Sequence, residues 1–78
     1  MYYVYAISSR TRKYIYVGMT NDLECRLSEH NQGYNKTTKA YRPFKLIYFE
    51  KFGKRIDARR KEKYLKSGIG REFLKSLI

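Results

Sequence analysis

The stretch that decides the fold is YIYVGMTNDLECRLSEH, residues 14–30. Its first four residues are β-branched or aromatic, and they predict a strand from Tyr14 to Val17. Side chains alternate between the two faces of a strand, so Tyr14 and Tyr16 share one face and Ile15 and Val17 share the other. We expect Ile15 and Val17 to face the core and Tyr16 to face away from it.

The remainder of this stretch predicts a helix. Residues 20–22 (TND) supply possible N-caps, and Glu24 stands three residues after Asn21, as in a capping box. We expect the helix to run to about residue 30 or 31 and to be closed by Gly33.

The rest of the chain predicts four more elements. They are a first strand at 2–7, a third strand at 44–50, a helix at 54–67 and, after Gly68 and Gly70, a last helix at 71–78. The order β-β-α-β-α-α is typical of an α+β domain in which helices cover a small sheet. A length of 78 residues allows one domain, which we take to be residues 1–78.

The chain is strongly basic. It has 18 Lys and Arg against seven Asp and Glu, a formal net charge of +11. Such an excess, spread along the whole chain, indicates a polyanionic partner, with nucleic acid as the first candidate and an anionic membrane surface as the second. No helix shows a basic face opposite a broad aromatic one, which disfavours the membrane. We expect no small-molecule cofactor, and the oligomeric state is open.

Cysteine usage and hydropathy favour a reducing, cytoplasmic setting. The chain has one cysteine and one histidine, so neither an intramolecular disulfide nor a cysteine-based zinc site can form. No apolar run approaches the ~20 residues of a membrane span, and no signal-peptide pattern opens the chain.

Glu62 is a carboxylate that the helical repeat places among apolar residues. At 100° per residue it falls on the same helical stripe as Ala58, Leu65 and Ile69. A lone buried charge is costly, so Glu62 must be paired, protonated or bound to a cation. A salt bridge to a neighbouring lysine or arginine and a functional role are both open from the pattern.

The first predicted helix places His30 on its inward stripe, with Arg26 beside it. A lone inward histidine is most often a satisfied core residue, a flanking arginine most often snorkels, and a strand tyrosine such as Tyr16 is often packing. This helix nevertheless begins where the strand carrying Tyr16 ends, so the three side chains can share one site.

Together with Glu62, these residues supply a hydroxyl, a guanidinium, an imidazole and a carboxylate on a basic surface. That inventory suits phosphodiester hydrolysis, which needs a group to deprotonate water and cations to meet the charge of the transition state. One carboxylate can hold one Mg²⁺ or Mn²⁺, with water and phosphate oxygens completing the shell. No second carboxylate accompanies Glu62, because Asp57 lies on a different face.

Short tyrosine motifs recur in a fixed order along the chain. Tyr3-Val4-Tyr5 precedes Tyr16-Val17-Gly18, and Arg26 follows ten residues after Tyr16. In this order and spacing the chain resembles the GIY-YIG nuclease family. The segments HNQG (30–33), RPFKLIYFE (42–50) and ARRKEKYLKSGIGREFLK (58–75) are similar to its small single-domain bacterial members, so the resemblance covers nearly the whole chain.

The resemblance implies an α/β sandwich with a three-stranded antiparallel sheet and divalent-metal-dependent cleavage of DNA, as in repair and recombination nucleases. It implies that Tyr5 helps to shape the site, that Tyr16 activates water and that Arg26 stabilises phosphate charge. His30 stands where the family has His or Tyr, and Glu62 would be the metal ligand. A free phenol has a pKa of about 10, so a tyrosine in the activating role predicts a rate that rises with pH.

The chain departs from the family pattern at two positions. Tyr3 stands where the first motif usually begins with glycine, and Met19 stands where some repair members have a lysine thought to assist catalysis. The alternative function is a non-catalytic nucleic-acid-binding module on the same fold. Either would bind DNA, with RNA left open, through phosphate charge and shape, and the basic loop supplies Lys36, Lys39 and Arg42 for this.

Overall fold

A computed structural model describes residues 1–78 and confirms the α+β fold, with three antiparallel strands in the order β2-β1-β3. The strands are β1 (Tyr2–Ser9), β2 (Ile15–Thr20) and β3 (Phe44–Phe52), and the helices are α1 (Leu23–Gln32), α2 (Arg55–Lys66) and α3 (Gly68–Lys75). A 3-10 turn, Lys39–Tyr41, lies in the loop before β3. None of the helices is both long and apolar enough to cross a membrane.

The two faces of the sheet carry separate apolar clusters, because successive residues of each strand point to opposite sides. On one face Val4, Ala6 and Val17 pack against α2 and α3, and Ile15 and Met19 join them. On the other face Tyr5, Ile7 and Phe44 are buried, and the partly buried residues packed against them are Tyr14, Tyr16, Leu23, Leu27, Tyr41 and Leu46. The structure confirms that Ile15 and Val17 lie on one face of β2 and Tyr16 on the other, but Tyr16 packs against a second apolar cluster there, which the sequence does not predict.

The hairpin and the first helix differ from the prediction at their ends. Strand β2 runs on to Thr20, because its pairing with β1 continues to the partners Tyr3 and Thr20. Of the three possible caps, Asp22 is the one that caps α1, and its carboxylate accepts a hydrogen bond of 3.1 Å from the backbone N–H of Cys25. Gly33 closes the helix as predicted, with a φ of 83°.

The last helix begins at Gly68, and the predicted start at Arg71 is wrong. The Ser67 hydroxyl accepts from the backbone N–H of Gly70 and caps α3. Gly70 lies so close to the Tyr64 carbonyl and the Leu65 backbone that a β-carbon would clash with both. The glycine that looked like a break is therefore required for α3 to pack against α2.

The last helix is also shorter at its end than the sequence predicts. At 100° per residue, Phe73, Leu74, Leu77 and Ile78 would share one apolar face of a helix over 71–78. Only Leu74 is buried, and Leu77 and Ile78 lie beyond the end of α3 at Lys75.

Candidate active site

The centre of the candidate site is a buried hydrogen bond between β1 and α1. Tyr5 lies in the middle of the central strand and His30 in the last turn of α1, and both are almost fully buried. The Tyr5 hydroxyl lies 2.9 Å from Nε2 of His30. Leu23 and Leu27 pack α1 on the sheet, which brings the inward-facing His30 over Tyr5.

The other ring nitrogen of His30 is also satisfied. Nδ1 lies 2.8 Å from the hydroxyl of Thr38, which is fully buried in the loop after α1. The Thr38 hydroxyl donates to the Asn35 carbonyl at 3.5 Å, so we assign the proton of the ring to Nδ1, and Nε2 accepts the Tyr5 proton. His30 is thus a satisfied core histidine, one of the interpretations that the sequence left open.

Burial keeps both partners of this bond neutral. Desolvation raises the pKa of the Tyr5 phenol far above its ordinary value; Tyr16, Glu62 and Glu29 add to that shift, whereas Arg26 opposes it. Desolvation, and after it the charge of Arg26, lowers the pKa of His30. At neutral pH neither side chain can supply a charge, so the pair shapes the site.

The glycine of the second tyrosine motif is explained by this bond. Gly18 is the cross-strand partner of Tyr5 in the pairing of β1 and β2. A β-carbon at position 18 would lie 2.5 Å from the Tyr5 hydroxyl and 2.7 Å from Cζ of the ring. The Tyr5 ring therefore occupies the space that the β-carbon of any residue other than glycine would need at position 18.

Tyr16 and Arg26 lie beside the buried pair and reach solvent. The Tyr16 ring is partly exposed, and its centroid is 5.0 Å from that of His30 and 6.4 Å from that of Tyr5. The Arg26 side chain is 43% exposed, and its Nε lies 3.2 Å from a carboxylate oxygen of Glu29. An exposed pair of this kind is weak, so the guanidinium can turn toward a phosphate at little cost.

Glu62 is recessed, as its helical position predicts. Its side chain is 15% exposed, and its carboxylate accepts a hydrogen bond from Nζ of Lys66 at 3.2 Å. Glu62 lies on α2, behind the sheet from α1, yet its charge contributes to the raised pKa of Tyr5. Ile69, which the sequence places on the same stripe, belongs to α3 and is exposed, because α2 ends at Lys66.

A divalent ion would find one protein ligand here. The structure contains no group of three or more His, Cys, Asp or Glu side chains that could enclose a metal. A single, partly accessible carboxylate fits Mg²⁺, which keeps several waters and is often held by one or two carboxylates together with substrate phosphates. Lys66 would have to leave the Glu62 oxygen that it now contacts.

The predicted DNA-binding residues of the loop are exposed. Lys36, Lys39 and Arg42 all reach solvent, although Arg42 also donates a long hydrogen bond of 3.4 Å to the Lys39 carbonyl. The same loop carries the buried Thr38, which ties its position to His30.

Sequence reasoning missed two side chains of this site. Thr38 is one of two adjacent threonines in a polar loop, and no periodicity marks which of them is buried. Lys66 could have been found, because it stands four residues after Glu62 on one helix, the usual spacing of an ion pair.

Comparisons with known proteins identify the family of the chain. The family model for the GIY-YIG catalytic domain matches residues 1–72. The chain is 40% identical to UPF0213 protein CPE1444 of Clostridium perfringens, over 85% of this chain and 71% of that protein. It is 34% identical to UPF0213 protein SH2523 of Staphylococcus haemolyticus, over 97% and 93% of the two chains.

A solved structure supports the same assignment. The solution NMR structure of UPF0213 protein BH0048 from Bacillus halodurans has a TM-score of 0.58 and 32% identity to this chain, and the match covers 99% of this chain and 85% of that one. GIY-YIG domains form a nuclease family that acts on nucleic acid and generally depends on divalent metal ions. By its sequence and its fold, the chain belongs to the GIY-YIG catalytic domain family.

Proposed function

We propose that residues 1–78 form a single nuclease domain, a divalent-metal-dependent endonuclease that hydrolyses DNA phosphodiester bonds. The observation that carries this proposal is the placement of Tyr16 and Arg26. Both reach solvent beside a neutral, fully hydrogen-bonded core of Tyr5 and His30, on a protein with a net charge of +11. A phosphate drawn to this surface would meet the Tyr16 phenol and the Arg26 guanidinium, which can turn away from Glu29 toward it.

Each exposed side chain has a role in this proposal. Tyr16 orients the attacking water and, in its phenolate form, accepts the proton of that water and becomes the neutral phenol; the packing of its ring against His30 fixes the position of the ring. Arg26 exchanges Glu29 for the phosphate and stabilises the negative charge that grows on its oxygens. Tyr5 and His30 act as positioning residues, since neither touches the substrate.

Glu62 is the proposed ligand of one Mg²⁺ or Mn²⁺. When bound, the ion would polarise the phosphate and stabilise the leaving oxygen as a Lewis acid. Lys66 is the counter-ion of Glu62 in the metal-free protein, and its side chain is 53% exposed and free to move into solvent. Its departure would leave the carboxylate oxygen available.

Phosphate contacts position a protein on DNA and carry little sequence information. We therefore include in the proposal a substrate recognised by shape, such as branched or damaged DNA met in repair or recombination. The loop cations Lys36 and Lys39 are exposed and suited to such contacts.

One observation favours the alternative of a non-catalytic nucleic-acid-binding module. The Glu62–Lys66 ion pair satisfies the recessed carboxylate without any metal. If the only role of Glu62 is to form this ion pair, the protein will bind DNA without cleaving it.

A nicking assay on supercoiled and branched DNA separates the two functions. We expect cleavage with Mg²⁺ or Mn²⁺ and none with EDTA. Glu62→Gln should abolish cleavage and leave DNA binding intact. The matched control is Glu24→Gln, which removes an exposed carboxylate of α1 that has no ion-pair partner. Wild-type protein that binds all these DNAs and nicks none of them would establish the binding module instead.

A further inference from the structure

A large cavity adjoins the candidate site on the side away from α1. Its volume is about 730 Å³, and it lies between the β1–β2 hairpin and the ends of α2 and α3. Tyr16 and Lys66 both line it, so it begins next to the proposed water-activating residue and next to the counter-ion of Glu62. A cavity of this size is within the range of small-ligand sites and can hold a nucleotide.

The charge of the cavity lining has one sign. No aspartate or glutamate side chain lines it, whereas five cations do: Arg12, Lys13, Lys66, Arg71 and Lys75. Lys66 and Lys75 are paired with glutamates on their own helices, but Arg12, Lys13 and Arg71 have no carboxylate within 4.0 Å. Three cations without a carboxylate partner around one cavity favour an anionic occupant, although the Arg12 guanidinium also lies 5.6 Å from the centroid of the Tyr41 ring.

Part of the cavity lining is apolar. Ile15, Val17, Leu74 and Ile78 line it, and Tyr14, just before the edge strand β2, and Tyr16 within that strand border it. The backbone of a DNA duplex offers nothing to such a surface, because its bases are stacked inside. An unpaired base has an exposed π-face that packs on apolar side chains while its phosphates contact the surrounding cations.

We propose that this cavity binds an unpaired nucleotide of the DNA strand next to the phosphate that is cut. The inference rests on the proposed function and deepens it, because it names the substrate class as DNA with a single-stranded arm or gap beside the cleavage point. When an unpaired base occupies the cavity, the neighbouring phosphate of the same strand would lie at Tyr16, at the edge of the candidate active site.

Equilibrium binding tests this proposal without any cleavage. The probes are a labelled hairpin duplex, the same duplex with a six-thymidine single-stranded arm, and armed duplexes with one abasic nucleotide at each arm position in turn, all in EDTA. We expect the armed duplex to bind about tenfold more tightly than the blunt one, as one stacked base would give. A single abasic position should remove that gain.

Arg71→Ala should lower the salt dependence of binding to the armed duplex by about one counter-ion. The matched control, Arg59→Ala, removes an exposed arginine of α2 that does not line the cavity, and it should leave the preference for the arm unchanged. Arg12→Ala, in the turn between β1 and β2, serves as a second variant and should act like Arg71→Ala.

Equal affinity for armed and blunt duplexes would overturn the proposal, as would equal effects of Arg71→Ala and Arg59→Ala. Tighter binding to a six-uridine RNA arm than to the DNA arm would also overturn it in favour of RNA. These results are distinguishable from failure of the proposed function: nicking without arm preference contradicts only the cavity, and arm preference without nicking contradicts only the catalysis.

Discussion

The Tyr5 hydroxyl lies 2.9 Å from Nε2 of the buried His30, so the central strand and the first helix are joined by a hydrogen bond between two neutral side chains. Burial raises the pKa of Tyr5 and lowers that of His30, which keeps both in the states that this bond requires. Of the two tyrosines at the site, Tyr16 alone is left with access to solvent and hence to a substrate.

Gly18→Ala should destabilise the protein, because its β-carbon would lie 2.5 Å from the Tyr5 hydroxyl. Displacing a packed ring costs about 1–3 kcal/mol, which urea unfolding would measure. Gly53→Ala is the control, since a β-carbon there meets nothing within 4 Å. Equal unfolding midpoints for the two variants would show that the packing of the Tyr5 ring does not require glycine at position 18.

Thr38→Val removes the hydroxyl that satisfies Nδ1 of His30 and keeps the shape of the side chain. A buried donor without a partner should lower the free energy of unfolding by about 1–3 kcal/mol. Thr37→Val, at the exposed neighbouring threonine, should change it by less than about 0.5 kcal/mol. If the two variants are equally stable in chemical denaturation, the Thr38–His30 hydrogen bond contributes nothing.

Stability should fall as the pH decreases below about 6.5, the ordinary pKa of histidine. The pKa of His30 is lowered in the folded state, so the unfolded chain binds more protons in this range and the free energy of unfolding decreases with the pH. His30 is the only histidine, and carboxylates titrate mainly below pH 5. His30→Gln should therefore flatten the profile between about pH 7 and 5. If the free energy of unfolding of this variant depends on pH as steeply as that of the wild type, His30 is not the source of the pH dependence.

Backbone periodicity made much of the site predictable. The two-residue repeat of β2 separated Tyr16 from Ile15, and the helical repeat placed His30 inward and Glu62 in a recess. These positions depend only on the geometry of one element, which the sequence pattern reports directly.

Contacts between elements were not predictable in the same way. Burial of Thr38 depends on how a loop folds over α1, and no pattern in the loop records it. Gly70 looked like a helix break, because glycine marks turns as often as close packing, and only the contact with α2 distinguishes the two. The stripe containing Glu62 reaches Ile69 only if the helical repeat continues past residue 67, and in the structure α2 ends at Lys66.

The single-turnover nicking rate of Tyr16→Phe in Mg²⁺ shows whether the Tyr16 hydroxyl activates the attacking water. The variant keeps the ring and loses the hydroxyl, so the rate should fall by about 10²-fold or more while the folded state is retained. Tyr34→Phe, which removes the hydroxyl of an exposed tyrosine, should cleave like the wild type. Wild-type cleavage by Tyr16→Phe would contradict the account and assign the activation of water to another group.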